Sequence, residues 1–353
     1  MAGDIRNVRP PAAGITRRAA IRTAALATPG LLLGRSALAD ALAQEAAGLG
    51  PVIWYESTPD ELANRVGAVF QKRYPKVQIR HVRDTGGNAM SARIIQESQG
   101  DARTADIGTN SPSIFWPLVQ RDLLEQVDWA ALGAAPRMAP TPYSLLTTAS
   151  VYVMLANTQL VSEADRPTGW DALLDPRWKG KLGTWQRTEA FVSLAAAWGA
   201  NRVATYLERL SAQQPFLFPS TFPLAQQIAA GEVSVGLGIY HSAQPAILRG
   251  APIRFAVPEP APISSLYSFI PKGGRNRPGG RLFALWLATE EGALAYEAAT
   301  SRGNPLVAAT RTAQLLAGHT VAEQRPDDAD ATLKLIERYD AILRQGGRDS
   351  SGH

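Results

Sequence analysis

Cysteine is absent from the sequence altogether, and histidine is scarce. Without cysteine, thiol nucleophiles, cysteine-zinc sites and disulfide bonds are all excluded. The histidines are His81, His241, His319 and His353, and the sequence contains no H-E-x-x-H, P-loop or G-x-S-x-G motif. Each of these motifs places a nucleophile, a base or a phosphate cradle in a recognisable local context. Their absence predicts that the protein is not an enzyme.

An excess of charge of one sign is also lacking once the N-terminus is set aside. The chain carries 36 Lys+Arg and 31 Asp+Glu, a formal net charge of +5. Residues 1–39 hold six of the arginines and one aspartate, which leaves 30 charges of each sign in the rest. A nucleic-acid interface needs a basic surface that neutralises phosphates. The balanced remainder predicts no nucleic-acid partner.

The apolar stretch at residues 24–33 is too short to cross a bilayer, which takes about 20 residues. Paired arginines at positions 17 and 18 precede it, and A-x-A sequences follow at 37–39 and 41–43. A basic region, a short apolar region and an A-x-A site are the parts of a cleavable export signal. The sequence therefore predicts a signal peptide over residues 1–43, cleaved after residue 39 or 43. Its paired arginines resemble the twin-arginine (Tat) signal.

Strand-like and helix-like segments alternate after this leader. Residues 51–55 read as a buried strand, and residues 59–73 as a helix whose apolar side chains recur at helical spacing. A strand at 77–82, a helix at 89–99 and a strand at 105–109 continue the series. This alternation predicts βαβ units and a mainly parallel sheet.

The 310 residues after position 43 are long enough for two domains of about 150 residues each. A β-prone run at 143–157 predicts the crossing from one lobe to the other, and the return is predicted between 253 and 269. The first lobe is therefore predicted over 44–147 plus 258–353, and the second over 148–257. Residues 278–298 are predicted to form one amphipathic helix in the first lobe.

Several local phrases, taken in order, resemble the iron(III)/phosphonate-type family of bacterial solute-binding proteins. They are F-x-x-x-Y-P-x-V at 70–77, T-G-G at 85–87, A-D-I at 105–107 and G-W-D-A-L-L-D-P-R-W-K-G-K at 169–181. The resemblance implies a type II periplasmic binding fold, with two α/β lobes joined by hinge strands and a ligand cleft between them. It also implies a monomeric periplasmic receptor without a cofactor, which delivers a small molecule to the membrane permease of an ABC importer.

In the implied fold the ligand lies where strands end and helices begin, and free N–H groups there favour anions. Hydroxyl and glycine residues recur at these junctions, which plain helix capping would also explain. An arginine among them favours a ligand with a carboxylate, phosphate or phosphonate. The predicted ligand-binding residues are Tyr55, Ser57, Thr85, Gly86, Gly87, Ser111, Trp185, Arg187, Thr188, Thr221, Tyr240 and His241.

Iron remains an alternative ligand. In ferric-binding members of the family a Tyr-Tyr pair ligates iron through phenolate oxygens, and the matching positions here are Tyr240 and His241. The family's other iron ligands fall on Pro59 and near Asn110, which are poor metal ligands. The prediction is therefore a site without metal, with Tyr240 and His241 as the ligands if iron binds. An exported hydrolase is the remote alternative.

Overall fold

A computed structural model of the chain describes residues 29–84, 88–324, 326 and 329–350. Most of the predicted signal peptide lies outside the described residues, as do Thr85, Gly86 and Gly87 of the predicted site. No helix in the described part of the chain combines the length and the hydropathy that a membrane span requires. The signal peptide and its cleavage site stay predictions.

The first lobe is an α/β layer with parallel strands, as the alternation predicted. Its strands are β1 (Val52–Glu56), β2 (Ile79–Arg83) and β3 (Ile107–Asn110), and β1 pairs in parallel with the other two. Its helices are α1 (Pro29–Ala47), α2 (Asp60–Arg73), α3 (Ala89–Gln99) and α4 (Pro112–Val119), with α9 (Arg277–Leu287) and α10 (Glu290–Thr300) from later in the chain. Trp54 and Phe70 both meet Phe283 edge to face in the core of this lobe.

The second lobe repeats the same construction. Its strands are β5 (Leu182–Trp185), β6 (Phe216–Phe218), β7 (Val235–Ile239) and β8 (Ile253–Ala256). Its helices are α5 (Glu189–Trp198), α6 (Ala200–Ala212), α7 (Thr221–Ala230) and α8 (Tyr240–Leu248). Strand β5 lies between β6 and β7 and is parallel to both. Loops at the ends of these strands therefore face the same edge of the sheet.

Two long strands, β4 (Leu145–Asn157) and β9 (Ala261–Phe269), join the lobes. Residues 145–151 of β4 pair with β9, and residues 152–157 pair with β7 and β8 of the second lobe. Strand β9 in turn pairs with β3 of the first lobe. Every residue of β4 is buried. The predicted crossing at 143–157 is thus a strand that belongs to both sheets.

The C-terminal segment departs from the predicted first lobe. After α11 (Arg311–Leu316) and β10 (Val321–Ala322), helix α12 (Ala329–Gly346) buries Tyr339 and Leu343 in the core of the second lobe. The Tyr339 hydroxyl donates to the carbonyl of Ala200 (2.8 Å), and β11 (Arg348–Asp349) pairs with β6. Periodicity shows that a helix has an apolar face, but not which lobe that face covers. On this packing we propose that residues 329–350 belong to the second lobe.

The predicted helix at 278–298 is two helices. Helix α9 ends at Leu287, and Thr289 then caps α10 by accepting a hydrogen bond from the Gly292 N–H (3.1 Å). A Cβ atom at Gly292 would lie only 2.0 Å from the Trp286 carbonyl oxygen. The glycine thus permits a close turn between α9 and α10, which the continuous apolar pattern of residues 278–298 does not indicate.

Candidate functional site

A cleft of about 410 Å³ lies between the lobes, with the hinge strands beside it. One wall comes from the loops after β1, β2 and β3 and from the end of α10, and the other from the loops after β5, β6 and β7. Ser150, Tyr152, Ser264 and Leu266 of β4 and β9 also line it. A volume of several hundred Å³ lined by convergent polar groups is typical of a small-molecule site.

Arg187 is a cation on the second lobe's wall of the cleft. Its guanidinium carbon lies 5.4 Å from the ring centre of Trp185, and that indole is fixed because its Nε1–H donates to the Pro219 carbonyl (3.1 Å). Among the described residues, no carboxylate forms an ion pair with Arg187. A stacked guanidinium without a carboxylate partner is pre-oriented for an anionic ligand group.

Glu189 follows two positions later, as the first residue of α5, and also lines the cleft. Burial raises the pKa of its carboxyl to about 7. A hydrogen bond with its own backbone N–H and the charge of Arg187 oppose this rise in pKa, and the nearby carboxylate of Asp340 adds to it. Its Oε2 atom is buried and has no hydrogen-bond partner in the described part of the protein. Burial, and then the charge of Glu189, also raises the pKa of Tyr152.

Arg302, just beyond α10, connects the two lobes across the cleft. Its Nη1 lies 3.4 Å from Oε1 of the fully buried Glu56, and its Nη2 donates to Nε2 of His241 in the second lobe (2.9 Å). Burial and the charge of Arg302 hold the pKa of His241 well below its usual value, so the imidazole is neutral and accepts this bond. Glu56 also accepts from the Thr58 N–H (2.5 Å).

The structure brings half of the predicted site residues to the cleft: Ser57, Ser111, Trp185, Arg187, Thr221 and His241. Three others have side chains engaged elsewhere. The Tyr55 hydroxyl donates to Glu97 Oε1 (2.9 Å), and the Thr188 hydroxyl donates to Asp340 Oδ1 (2.8 Å). Tyr240 packs against Phe255 in the core beside α8, with 5.2 Å between ring centres. None of these three side chains lines the cleft, and their role in ligand binding stays a prediction.

The cleft residues that the sequence did not reveal include Arg83, Asp84, Tyr152, Glu189, Arg302 and the hinge serines Ser150 and Ser264, and Arg302 pairs with the fully buried Glu56 behind it. One feature of the sequence could have indicated a buried ion pair next to the cleft, namely Glu56, a carboxylate at the end of an otherwise apolar strand. Arg302 lies 246 positions from Glu56 in the chain, and no local pattern marks it. Its contact with Glu56 arises only when the tertiary fold brings the two residues together.

The described residues contain no group of three or more histidine, aspartate or glutamate side chains placed to hold a metal ion. Tyr240 also lies away from the cleft, which leaves His241 without its predicted phenolate partner there.

We therefore expect Tyr240→Phe to change ligand affinity less than about twofold, since it removes no contact with the ligand. Calorimetric titration of the variant checks this. Loss of binding together with loss of a visible charge-transfer band would instead indicate iron.

Two α/β lobes around a hinge, with a polar cleft between them, define a binding protein of the type II periplasmic class. Residues 102–321 match the family model described as "Bacterial extracellular solute-binding protein". The match covers more than half of the chain, so the protein belongs to the bacterial extracellular solute-binding protein family. Its members are transport binding proteins and not enzymes. The predicted family, fold and lack of enzymatic activity are confirmed.

Solved structures support the fold. A substrate-binding protein of an ABC transporter from Agrobacterium tumefaciens is 17% identical, with 83% of this chain and 94% of that chain covered and a TM-score of 0.70. Iron-bound HitA from Pseudomonas aeruginosa is also 17% identical, with 83% and 99% covered and a TM-score of 0.68. AfuA from Actinobacillus pleuropneumoniae, solved with fructose-6-phosphate, is 20% identical, with 84% and 99% covered and a TM-score of 0.65.

A relative in Haemophilus influenzae, an uncharacterized protein, is 30% identical over 192 residues. The alignment spans 50% of this chain and 51% of that relative, so the chain matches about half of the relative's length.

Proposed function

We propose that the protein is a periplasmic receptor that binds a small anionic ligand between its lobes and delivers it to the permease of an ABC importer. The observation that supports an anionic ligand is Arg187, a guanidinium that stacks on Trp185 in the cleft. It forms no salt bridge with a described carboxylate, although the Glu189 carboxyl is near enough for the two charges to interact. A carboxylate, phosphate or phosphonate group accepts two parallel, charge-assisted hydrogen bonds from a guanidinium.

Hydroxyl groups on the cleft walls support the same ligand class. Ser57, Ser111 and Thr221 lie where strands end and helices begin, and Ser150 and Ser264 come from the hinge. Such junctions combine hydroxyl donors with helix N–H groups. The relatives vary in what they bind, since HitA was solved with iron and AfuA with a sugar phosphate. The ligand class therefore rests on the cleft of this chain.

The sequence and the family support a cellular role in transport. The predicted export signal and membership of a family of extracellular solute-binding proteins together support a periplasmic location. The permease partner is supported by relatives that are named as substrate-binding proteins of ABC transporters. We propose that the protein acts as a monomer, without a cofactor and without a nucleic-acid partner.

A thermal-shift panel of carboxylates, phosphates and phosphonates on the mature chain tests the ligand class. A ligand that binds only the folded state at 100 times its dissociation constant stabilises it by about 2.7 kcal/mol. For the panel member with the largest shift, Arg187→Ala is expected to weaken binding by roughly 10- to 150-fold, because one charged hydrogen bond contributes about 1.5–3 kcal/mol.

The matched control is Arg209→Ala, which removes an arginine that lies exposed on α6 of the same lobe. It is expected to leave the affinity unchanged. Equal weakening by both variants would indicate a general effect of charge and would contradict a direct contact with Arg187. Failure of every anion to shift the melting temperature would reject the proposed ligand class.

A further inference from the structure

Glu189 places an acid on the same wall of the cleft as the cation Arg187. The two residues are two positions apart at the junction of β5 and α5, so their backbone positions are at most about 7 Å apart. An anion held by Arg187 thus has the Glu189 carboxyl close to it. For a ligand that carries only an anionic group, this neighbour is unfavourable.

Among the described residues, one buried oxygen of the Glu189 carboxyl has no hydrogen-bond donor. Oε2 is buried and unpaired among the described residues. The charged or titratable groups that act on Glu189 are Arg187 beside it, Tyr152 on β4 and Asp340 on α12. Asp340 is already engaged, because it accepts from the Thr188 hydroxyl (2.8 Å) and from Arg344 Nη2 (3.2 Å). A buried acceptor without a partner is energetically unfavourable, and a ligand group that donates to it removes that penalty.

We propose that Glu189 is a specificity-determining residue, which accepts a hydrogen bond from an ammonium or hydroxyl group that the ligand carries within a few bonds of its anionic group. The proposal rests on the proposed function and makes it narrower. The ligand class becomes amino or hydroxy acids and their phosphate and phosphonate counterparts. A site built to bond such a donor discriminates strongly against analogues that lack it, since the acceptor is then left unpaired.

The ionisation of Glu189 supports this assignment. With its pKa near 7, the carboxyl is largely a carboxylate at pH 8 and largely protonated at pH 5. A bound ammonium group favours the carboxylate, so binding an amino-bearing anion releases a proton and becomes tighter as the pH rises through 7. An anion without a donor meets growing repulsion over the same range and binds more weakly.

Pairs of probes that differ only in the donor test the proposal. Suitable pairs are phosphoethanolamine with propyl phosphate, aminomethylphosphonate with ethylphosphonate, and lactate with isobutyrate. Calorimetric titrations at pH 8 compare the wild type with Glu189→Ala and with the control Glu208→Ala, whose side chain is exposed on α6. In a pair that binds, we expect the donor-bearing member to bind about tenfold or more tightly in the wild type and in Glu208→Ala. In Glu189→Ala this preference is expected to fall to about twofold or less.

The outcomes separate the two proposals. A preference near one in the wild type, or a preference that survives Glu189→Ala, overturns the role of Glu189 and leaves anion binding intact. Absence of binding by every probe overturns the anionic ligand class and the role of Glu189 with it. Glu189→Gln preserves the side-chain shape and shows whether Glu189→Ala acts by altering the fold. If Glu189→Gln melts at or above the temperature of the wild type and still has a reduced preference for the donor-bearing probe, the role of Glu189 is supported. A full preference in Glu189→Gln overturns the need for a carboxylate.

Discussion

Replacing Arg302 by alanine is expected to lower the free energy of unfolding by about 3 kcal/mol. The reason is Glu56, which is fully buried and has Arg302 as its ion-pair partner (3.4 Å). Removing one member of a buried pair leaves the other as an uncompensated charge, and this penalty exceeds the net contribution of the pair itself. The same change removes the bond from Arg302 to His241 that links the lobes. Urea denaturation followed by circular dichroism measures the loss.

A second substitution separates the charge effect from the loss of packing. Glu56→Gln in the Arg302→Ala background is expected to restore a large part of the lost stability, because a neutral amide has a far smaller desolvation penalty than a carboxylate. Arg254→Ala is the matched control, since this arginine is exposed and its contact with Glu163 is a surface pair of 3.9 Å. Surface pairs contribute about 0–1 kcal/mol. If the double variant is no more stable than Arg302→Ala, the burial of charge is not the cause.

Most of the elements were predictable because their signals are local. The helix predicted at 89–99 is α3, and the strand predicted at 143–157 is β4 from residue 145. Periodic apolar side chains and flanking caps or prolines mark such segments within a few residues of their ends. The break within 278–298 was missed because Thr289 and Gly292 interrupt the helix without interrupting its apolar pattern.

The site was less predictable because it is assembled from both lobes. Junction residues such as Ser57 and Arg187 could be placed at the cleft because the fold class fixes where strands end. Tyr55 and Tyr240 point away from the cleft because a junction position does not fix the direction of a side chain. Tyr55 points to Glu97 on α3, and Tyr240 points into the core beside α8. Residues such as Arg302 and His241 are far apart in the chain and come into contact only in the folded protein, so their spacing in the sequence does not predict the contact.

Glu189→Gln is expected to stabilise the ligand-free protein, and more so at high pH. The folded protein holds the Glu189 pKa near 7, above the ordinary value of 4.5. Below pH 4.5 both the folded and the unfolded carboxyl are protonated, so the acid has no electrostatic cost there. As the pH rises from 4.5 to 7 the unfolded chain loses its proton first, and stability falls by about 3 kcal/mol before levelling off. A neutral glutamine of the same shape avoids this loss.

The melting temperatures of wild type and Glu189→Gln should therefore differ by several degrees at pH 8, at about 2–4 °C per kcal/mol, and by much less at pH 5. Glu208→Gln, on the exposed side of α6, should show no such dependence on pH. A difference of the same size at both pH values would mean that packing, and not ionisation, accounts for it. A side chain that lowers the stability of the empty protein is typical of a functional position. We accordingly expect Glu189→Gln to combine higher stability with weaker preference for ligands that carry a donor.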